Sequence, residues 1–258
     1  MPTHTEGQPT LIDPRFAGMP DIAHGGYTSG LMAGALGGDS AKVRLMRPVR
    51  PGRHLELRSA AGELVELRDG DDLLAEARPA RLDLHVPAPV SLAEAQAAAA
   101  RFPGLHHHLF GECFVCGPER SAGDGLRIFP GPVAGRRLVA APWVPSADDT
   151  GQVPAELVWA AMDCPQLWAL MVHAPASTPD SVVTAAMATR IERPLVAGEP
   201  HVVTAWPIAR EGRKWLAGAA IFGPGGELSV IGRQTASIVD GWGVPLGRDR
   251  WGPEVAAA

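Results

Sequence analysis

The sequence predicts an α+β fold made of two tandem repeats, each a curved antiparallel sheet around one buried helix. Three observations support this prediction. A short motif occurs twice, as "RLMRPVRPG" at 44–52 and "RIERPLVAG" at 190–198, with a constant offset of 146 residues. Strand-like stretches separated by Gly-rich turns follow each copy. One apolar, helix-like stretch precedes each copy.

Three strands are predicted after each copy of the motif. The turn signals "RDGDD" and "GPGGE" lie between them, which predicts an antiparallel meander in each half. Two further stretches, "GLRIFP" (125–130) and "RRLVAAPWVP" (136–145), are predicted as the first strands of the second half. The strands after the motif are "HLELRSA" (54–60), "LVELRDG" (64–70) and "LLAEARPARLDL" (73–84), then "HVVTAWPIA" (201–209), "KWLAGAAIFG" (214–223) and "ELSVIGRQTASIV" (227–239).

The two predicted helices, at 24–36 and 153–172, are apolar on nearly every face. Such a helix belongs in the interior of a protein. A curved antiparallel sheet wrapped around one buried helix is the hotdog fold, so two copies predict a double hotdog. We expect an N-terminal repeat at 1–90, a linker at 91–124 and a C-terminal repeat at 125–258.

The linker contains an Ala-rich stretch and a C-x-x-C motif. Ser91 is predicted to cap a helix that Pro103 and Gly104 terminate. Cys113 and Cys116 follow three histidines at 106–108, and such residues could bind zinc. A single C-x-x-C is a weak signal, however, and "CGPERSAGDG" is typical of a turn. The turn is therefore the preferred interpretation, and no metal is predicted.

Composition narrows the possible partners and the compartment. With a net charge of −5 and no basic block, the chain lacks the features of a nucleic-acid-binding protein. No apolar run reaches the roughly 18 residues of a membrane span, and the first residues do not resemble a secretion signal. Three cysteines are too few for a disulfide framework. We therefore expect a cytoplasmic protein with no membrane partner.

The start of the first helix, "HGG", suggests a binding site. The first amides of a helix have no partner within it, and the helix dipole favours negative charge there. Gly25 and Gly26 would let a carbonyl group approach those amides, with His24 beside them. The alternative is a tight turn before a closely packed helix, with His24 acting as its cap.

An acid in the second helix makes the binding site more plausible. When Pro154 is placed opposite His24, Asp163 lies opposite Ala33, nine positions along. A carboxylate within "LVWAAMDCPQLWAL" is costly to bury unless it has partners or a function. Each half thus supplies one component, and the prediction is one competent site and one degenerate site. Pro165, two residues later, is expected to kink this helix.

This pattern resembles the hotdog acyl-CoA thioesterases, in particular the acyl-CoA thioesterase II type of double hotdog. In that family an Asp, a Thr and a Gln hold the attacking water, and these fall on Asp163, Thr184 and Gln234. The resemblance covers roughly 16–240 and rests on short motifs. It implies hydrolysis of a thioester of coenzyme A or of acyl carrier protein, without a cofactor. Further pairing of double hotdogs into a homo-oligomer is an open possibility.

Other interpretations remain at this stage. A hotdog hydratase or dehydratase would use His24 and Asp163 to move protons across a double bond. A non-catalytic acyl-CoA binding module would keep the fold and lose turnover. Tyr27, directly after the glycine pair, is also predicted to bind substrate. Arg213 with Lys214 could bind the phosphates of coenzyme A or form an ordinary solvated strand end.

Overall fold

The computed structural model describes residues 7–60, 63–175, 178, 180–240 and 243–246. The two ends of the predicted repeats, 1–6 and 247–258, lie outside the described residues. Within the described part, most strands form one twelve-stranded sheet in which every pairing is antiparallel. None of the helices in this part is both long enough and apolar enough to cross a membrane.

In each half a helix is followed by a series of strands, as the repeat predicts. In the first half they are β1 (Gln8–Leu11), β2 (Ala17–Met19), β3 (Ile22–Ala23), α1 (Gly25–Leu36), β4 (Ser40–Leu45), β5 (His54–Ala60), β6 (Leu64–Asp69) and β7 (Asp72–Pro79). Helix α2 (Leu92–Ala99) follows. The second half contains β8 (Gly131–Pro132), β9 (Val139–Trp143), α3 (Ala155–His173), β10 (Ser181–Ile191), β11 (His201–Glu211), β12 (Lys214–Phe222), β13 (Leu228–Val239) and β14 (Val244–Pro245).

The strand order of the sheet shows that the two halves have the same topology. Outwards from the centre, the first half has the order β4, β7, β6, β5 and β1, and the second has β10, β13, β12, β11 and β9. The halves join through the antiparallel pair β4–β10, in which Lys42 lies opposite Ala188. These two positions are also 146 residues apart, so a pseudo-two-fold axis passes through this pair. The chain is a double hotdog.

Helices α1 and α3 lie against each other and against the sheet. Their N-caps are His24 and Pro154, the two positions that the sequence alignment placed opposite each other. The buried side chains of α3 include Trp159, Met162 and Leu170. Each such side chain contributes about 1.5–3 kcal/mol when it is fully buried. Helix α3 is therefore buried along most of its length, whereas α1 is buried on one side and exposed at 34–35.

Helix α2 covers the other face of the sheet in the second half. Ser91 caps it, as the sequence predicted, and Glu94 completes a capping box. Its buried Ala95 and Ala98 belong to a separate apolar cluster with side chains of β9, β11 and β12, among them Val202. The second half of the sheet is thus packed on both faces, by α3 and by α2. The domain limits given above stay predictions.

Two details differ from the sequence-based expectation. Residues 125–130 form no strand: Arg127 has a positive φ of 51°, and the Leu126 amide donates to the carbonyl of Phe114 instead of joining the sheet. β7 ends at Pro79, because a proline nitrogen has no hydrogen to donate to a neighbouring strand. Helix α3 runs through Pro165 as one element to His173, close to the predicted extent, and the kink at Pro165 stays a prediction.

Candidate active site

The glycines at the start of α1 allow two helices to approach closely. A Cβ atom on Gly26 would lie 2.7 Å from both the carbonyl oxygen of Trp159 and Cβ of Asp163. One turn later, a Cβ on Gly30 would lie 2.5 Å from Cα of Glu156. Only glycine fits where the backbones come this close. The helix therefore begins with poor helix formers because larger residues would hold α1 away from α3.

His24 caps α1 and holds the turn before it. Its backbone is extended, and its Nδ1 accepts a hydrogen bond of 3.3 Å from the Tyr27 amide. The Nδ1 atom also lies 3.6 Å from Oδ2 of Asp163. Nε2 faces the other way, 3.2 Å from Sγ of Cys164. His24 is thus a buried side chain that contacts α3 at two consecutive residues.

Asp163 is only 3 % exposed, yet both of its carboxylate oxygens have donors. Oδ2 accepts a 2.7 Å hydrogen bond from the Gly26 amide at the N-terminus of α1. Oδ1 accepts one of 2.8 Å from Thr184 Oγ1 and another from Gln234 Nε2. Gln234 Nε2 also lies 3.1 Å from Thr184 Oγ1. The structure therefore brings together the three residues that the resemblance selects, across α3, β10 and β13.

The Gly26 contact requires a correction to the expected carbonyl site. The sequence analysis treated the Gly25 and Gly26 amides as a pair open to substrate. The Gly26 amide instead donates to Asp163, since the carboxylate occupies the anion-binding end of α1. Gly25 lines the cavity, and among the described residues its amide has no hydrogen-bond partner.

Thr184 reaches Asp163 from an irregular part of β10. The register of β10 against β13 shifts between Thr184 and Ala186, which is a β-bulge. Bulges redirect side chains and are frequent next to active sites. Gln234, in contrast, lies in regular pairing and is fully buried. Sequence patterns did not indicate the bulge.

Burial and the neighbouring groups shift the pKa of Asp163 in opposite directions. Burial raises the pKa of Asp163 above its ordinary value, although His24, Thr184 and the Gly26 amide oppose this effect. Burial lowers the pKa of His24, but its contact with Cys113 and the charge of Asp163 outweigh that effect, so the pKa of His24 is raised overall. A carboxylate with a raised pKa is better suited to accept a proton near neutral pH.

A cavity of about 400 Å³ opens beside these residues. Its polar wall includes His24, Asp163 and Thr184. Most of the remaining surface is apolar and comes from both halves of the chain, including Leu45, Val49, Leu167, Trp168, Met171 and Val239. A small number of polar groups at the wall of an apolar cavity is the usual form of a site for a small organic molecule.

Three residues predicted to bind substrate lie elsewhere. The ring of Tyr27 stacks on Phe16 with centroids 3.9 Å apart, and Tyr27 does not line the cavity. Arg213 and Lys214 lie at the β11–β12 hairpin, also away from the cavity lining. The Arg213 guanidinium donates to the carbonyl of Ile238 and lies 3.6 Å from Asp240. Their assignment to coenzyme A stays a prediction.

The sequence analysis did not identify a group of cysteines at the cavity wall. Cys113, Cys116 and Cys164 all line the cavity, as does His108. Sγ of Cys113 lies 3.7 Å from Sγ of Cys164. The C-x-x-C turn was recognised, but its contact with the residue after Asp163 depends on tertiary structure. The only available sequence signal was that every cysteine lies in the C-x-x-C or beside the acid.

Comparison with solved structures supports the fold. The chain is similar to the tesB protein of Mycobacterium avium subspecies paratuberculosis, with 14% identity, a TM-score of 0.54 and coverage of 91% of this chain and 93% of that one. It is similar to a hot dog fold protein of unknown function from Alicyclobacillus acidocaldarius, with 9% identity, a TM-score of 0.55 and coverage of 92% and 94%. A candidate thioesterase II from Thermobifida fusca shares 13% identity, with a TM-score of 0.56 and coverage of 91% and 93%.

No family model matches the sequence, and no curated protein matches it. The solved structures share the architecture over nearly the whole length of both chains, while their sequences have diverged far from this one. The comparisons therefore place this chain among proteins of hotdog fold.

Proposed function

We propose that the protein hydrolyses an acyl thioester, with Asp163 as the general base. The observation that carries the proposal is the set of contacts around this carboxylate at the wall of an apolar cavity. Thr184 and Gln234 hold one oxygen and the Gly26 amide holds the other. Fixed donors around a buried acid keep it oriented without reorganisation during the reaction. The thioesterase II name of the structural neighbour from Thermobifida fusca agrees with this chemistry.

The reaction follows from the placement of the groups. Asp163 removes a proton from a water molecule, whose oxygen forms a bond to the thioester carbonyl carbon. The Gly25 amide, at the positive end of α1, binds the carbonyl oxygen as it becomes negative. The carbon–sulfur bond then breaks, and the proton passes to the leaving thiolate. The products are a carboxylic acid and a free thiol.

The two neighbours of Asp163 have different functions in this scheme. Thr184 lines the cavity, so its hydroxyl can contact the water as well as the acid. Gln234 lies behind the carboxylate and is a positioning residue, since its amide nitrogen reaches both Asp163 and Thr184. The acyl chain would occupy the apolar part of the cavity, and the carrier would be coenzyme A or a carrier protein.

The test is thiol release from a panel of acyl-CoA thioesters in the presence of a thiol reagent. We expect the wild-type protein to release thiol and Asp163→Asn to lose at least about 100-fold in rate, the usual contribution of a general base. Asp149→Asn, the same change at an exposed position, is the control and should match wild type. No thiol release by the folded wild type from any member of the panel would contradict the proposal.

One contact in the cavity also fits a hydratase. His24 and Asp163 lie within 3.6 Å of each other at the cavity, and a hydratase needs such a pair. The same panel separates the two reactions. A change in absorbance of an enoyl-CoA without thiol release would favour hydration, and tight binding with neither signal would favour a binding module.

A further inference from the structure

All three cysteines of the chain meet at one place, although they lie on two separate segments. Sγ of Cys113, in the linker, lies 3.7 Å from Sγ of Cys164, in α3. Cys116, three residues after Cys113, is also buried and lines the same cavity. His24 Nε2 lies 3.2 Å from Sγ of Cys164, and the ligand atoms of His24, Cys113 and Cys164 all lie within 4.8 Å of one another.

We propose that His24, Cys113, Cys116 and Cys164 bind one Zn²⁺ ion. Three thiolates and one imidazole are a common ligand set of closed, structural zinc sites. At a Zn–S bond of about 2.3 Å, two sulfurs of a tetrahedral site lie about 3.8 Å apart. The Cys113–Cys164 separation of 3.7 Å matches this value. Cys113 and Cys164 therefore already have the spacing of two sulfurs bound to one zinc ion.

The local structure of the C-x-x-C turn favours a metal site over a simple surface turn. The Gly117 amide donates a 2.9 Å hydrogen bond to the carbonyl of Cys113, which closes the turn. A Cβ on Gly117 would lie 2.3 Å from the carbonyl oxygen of Gly111, so only glycine fits. The turn is thus tight, and both of its thiols are buried beside a third.

The other ring nitrogen of His24 connects this site to the acid. Binding of zinc at Nε2 would place the imidazole proton on Nδ1, which lies 3.6 Å from Oδ2 of Asp163. Nδ1 would then donate to the carboxylate instead of accepting from the Tyr27 amide. A carboxylate that orients a zinc-bound histidine is a frequent arrangement. Zinc would thereby fix the linker, the start of α1 and the middle of α3 against one another.

His108 is the competing ligand. Its Nε2 lies 3.3 Å from Sγ of Cys116. The sequence analysis considered a zinc site of the two C-x-x-C cysteines and these histidines, whereas the geometry selects Cys164 and His24. A substitution of each histidine separates the two ligand sets. The measurement of bound metal does not depend on the proposed hydrolysis, so either proposal can fail while the other holds.

The experiment measures metal directly. The protein is purified without added chelator, its zinc is determined per chain, and zinc is then replaced by Co²⁺. We expect one zinc per chain and intense thiolate-to-cobalt absorption with the band pattern of tetrahedral Co²⁺. Zinc should also protect the three cysteines from alkylation, and a chelator should remove this protection. All of these measurements use the wild-type chain, so they do not depend on the folding of a variant.

Variants then identify the ligands. Cys164→Ser and His24→Ala should each lose the metal or bind it at least ten-fold more weakly, while His107→Ala, from the same histidine run, should retain it. Retention of zinc by His24→Ala together with its loss from His108→Ala would overturn the ligand set. A wild-type protein that takes up neither zinc nor cobalt, or that carries a Cys113–Cys164 disulfide when purified, would overturn the site itself.

Discussion

The Gly26 amide donates a 2.7 Å hydrogen bond to Oδ2 of Asp163, which joins the start of the helix of one repeat to the middle of the helix of the other. The contact depends on the absence of a side chain at Gly26, because the two helix backbones touch there. Close helix packing and the orientation of the acid therefore have the same cause.

Substitution of Gly26 by a larger residue should destabilise the protein. In Gly26→Ala the new Cβ would lie 2.7 Å from Trp159 O, so α1 must move away from α3. We expect the free energy of unfolding to fall by about 1–3 kcal/mol, the usual cost of overpacking, and thiol release to fall with it. Urea unfolding followed by circular dichroism measures the change.

Gly34→Ala is the matched control for that experiment. A Cβ at this position would be 3.9 Å from Cβ of Ala155, an ordinary contact. Alanine favours a helix by up to about 1 kcal/mol relative to glycine, so this variant should be as stable as wild type or more stable. Equal destabilisation by the two substitutions would show that helix proximity at Gly26 is not the cause.

The pH dependence of hydrolysis should reflect the burial of Asp163. The base acts in its deprotonated form, and burial raises its pKa. The value of kcat/KM should therefore rise with pH through a midpoint above the ordinary range of an aspartic acid. A rate that stays constant down to pH 4 would contradict the assignment of Asp163 as the base.

Removal of the Thr184 hydroxyl should move that midpoint. Its hydrogen bond lowers the pKa of Asp163, so Thr184→Val should shift the acid limb of the kcat/KM profile to higher pH and reduce kcat. Thr184→Ser keeps the hydroxyl and should restore most of both. A merely structural effect would lower activity equally at every pH, which a full pH profile of the three proteins distinguishes.

The cap of α2 offers a test of the fold that does not involve the site. Ser91→Ala removes a side chain that accepts from the Glu94 amide. We expect a loss of about 1 kcal/mol in the free energy of unfolding, as is typical of helix N-caps. Activity should be unchanged, because α2 packs on the opposite face of the sheet from α3. Thermal unfolding and the thiol-release assay measure the two quantities.

Most of the fold could be predicted from the sequence, because both repeats show the same order of helix and strands. The N-caps at His24 and Pro154, the capping box at Ser91 and the meander strands agree with the pattern. The strand predicted at 125–130 was wrong. The conformation of Arg127 follows from contacts with the linker turn rather than from local propensity.

For the site, the resemblance selected residues that the structure brings together, but it gave no geometry. The approach of α1 to α3 decides that the Gly26 amide contacts Asp163, and the bulge at Thr184 decides how the hydroxyl reaches the acid. The cysteine group was missed for a related reason. Cys113 and Cys164 are distant in sequence, and no local pattern encodes their contact.

The pseudo-two-fold axis at Lys42 and Ala188, in the β4–β10 pair, relates the candidate active site to a second place in the fold. In a dimer of identical chains, every amino-acid change appears at both related positions. Here Glu156 stands where the other copy has Gly26, and Ala33 where it has Asp163. A single chain with two repeats can therefore carry the acid at one of the two related places without carrying it at the other.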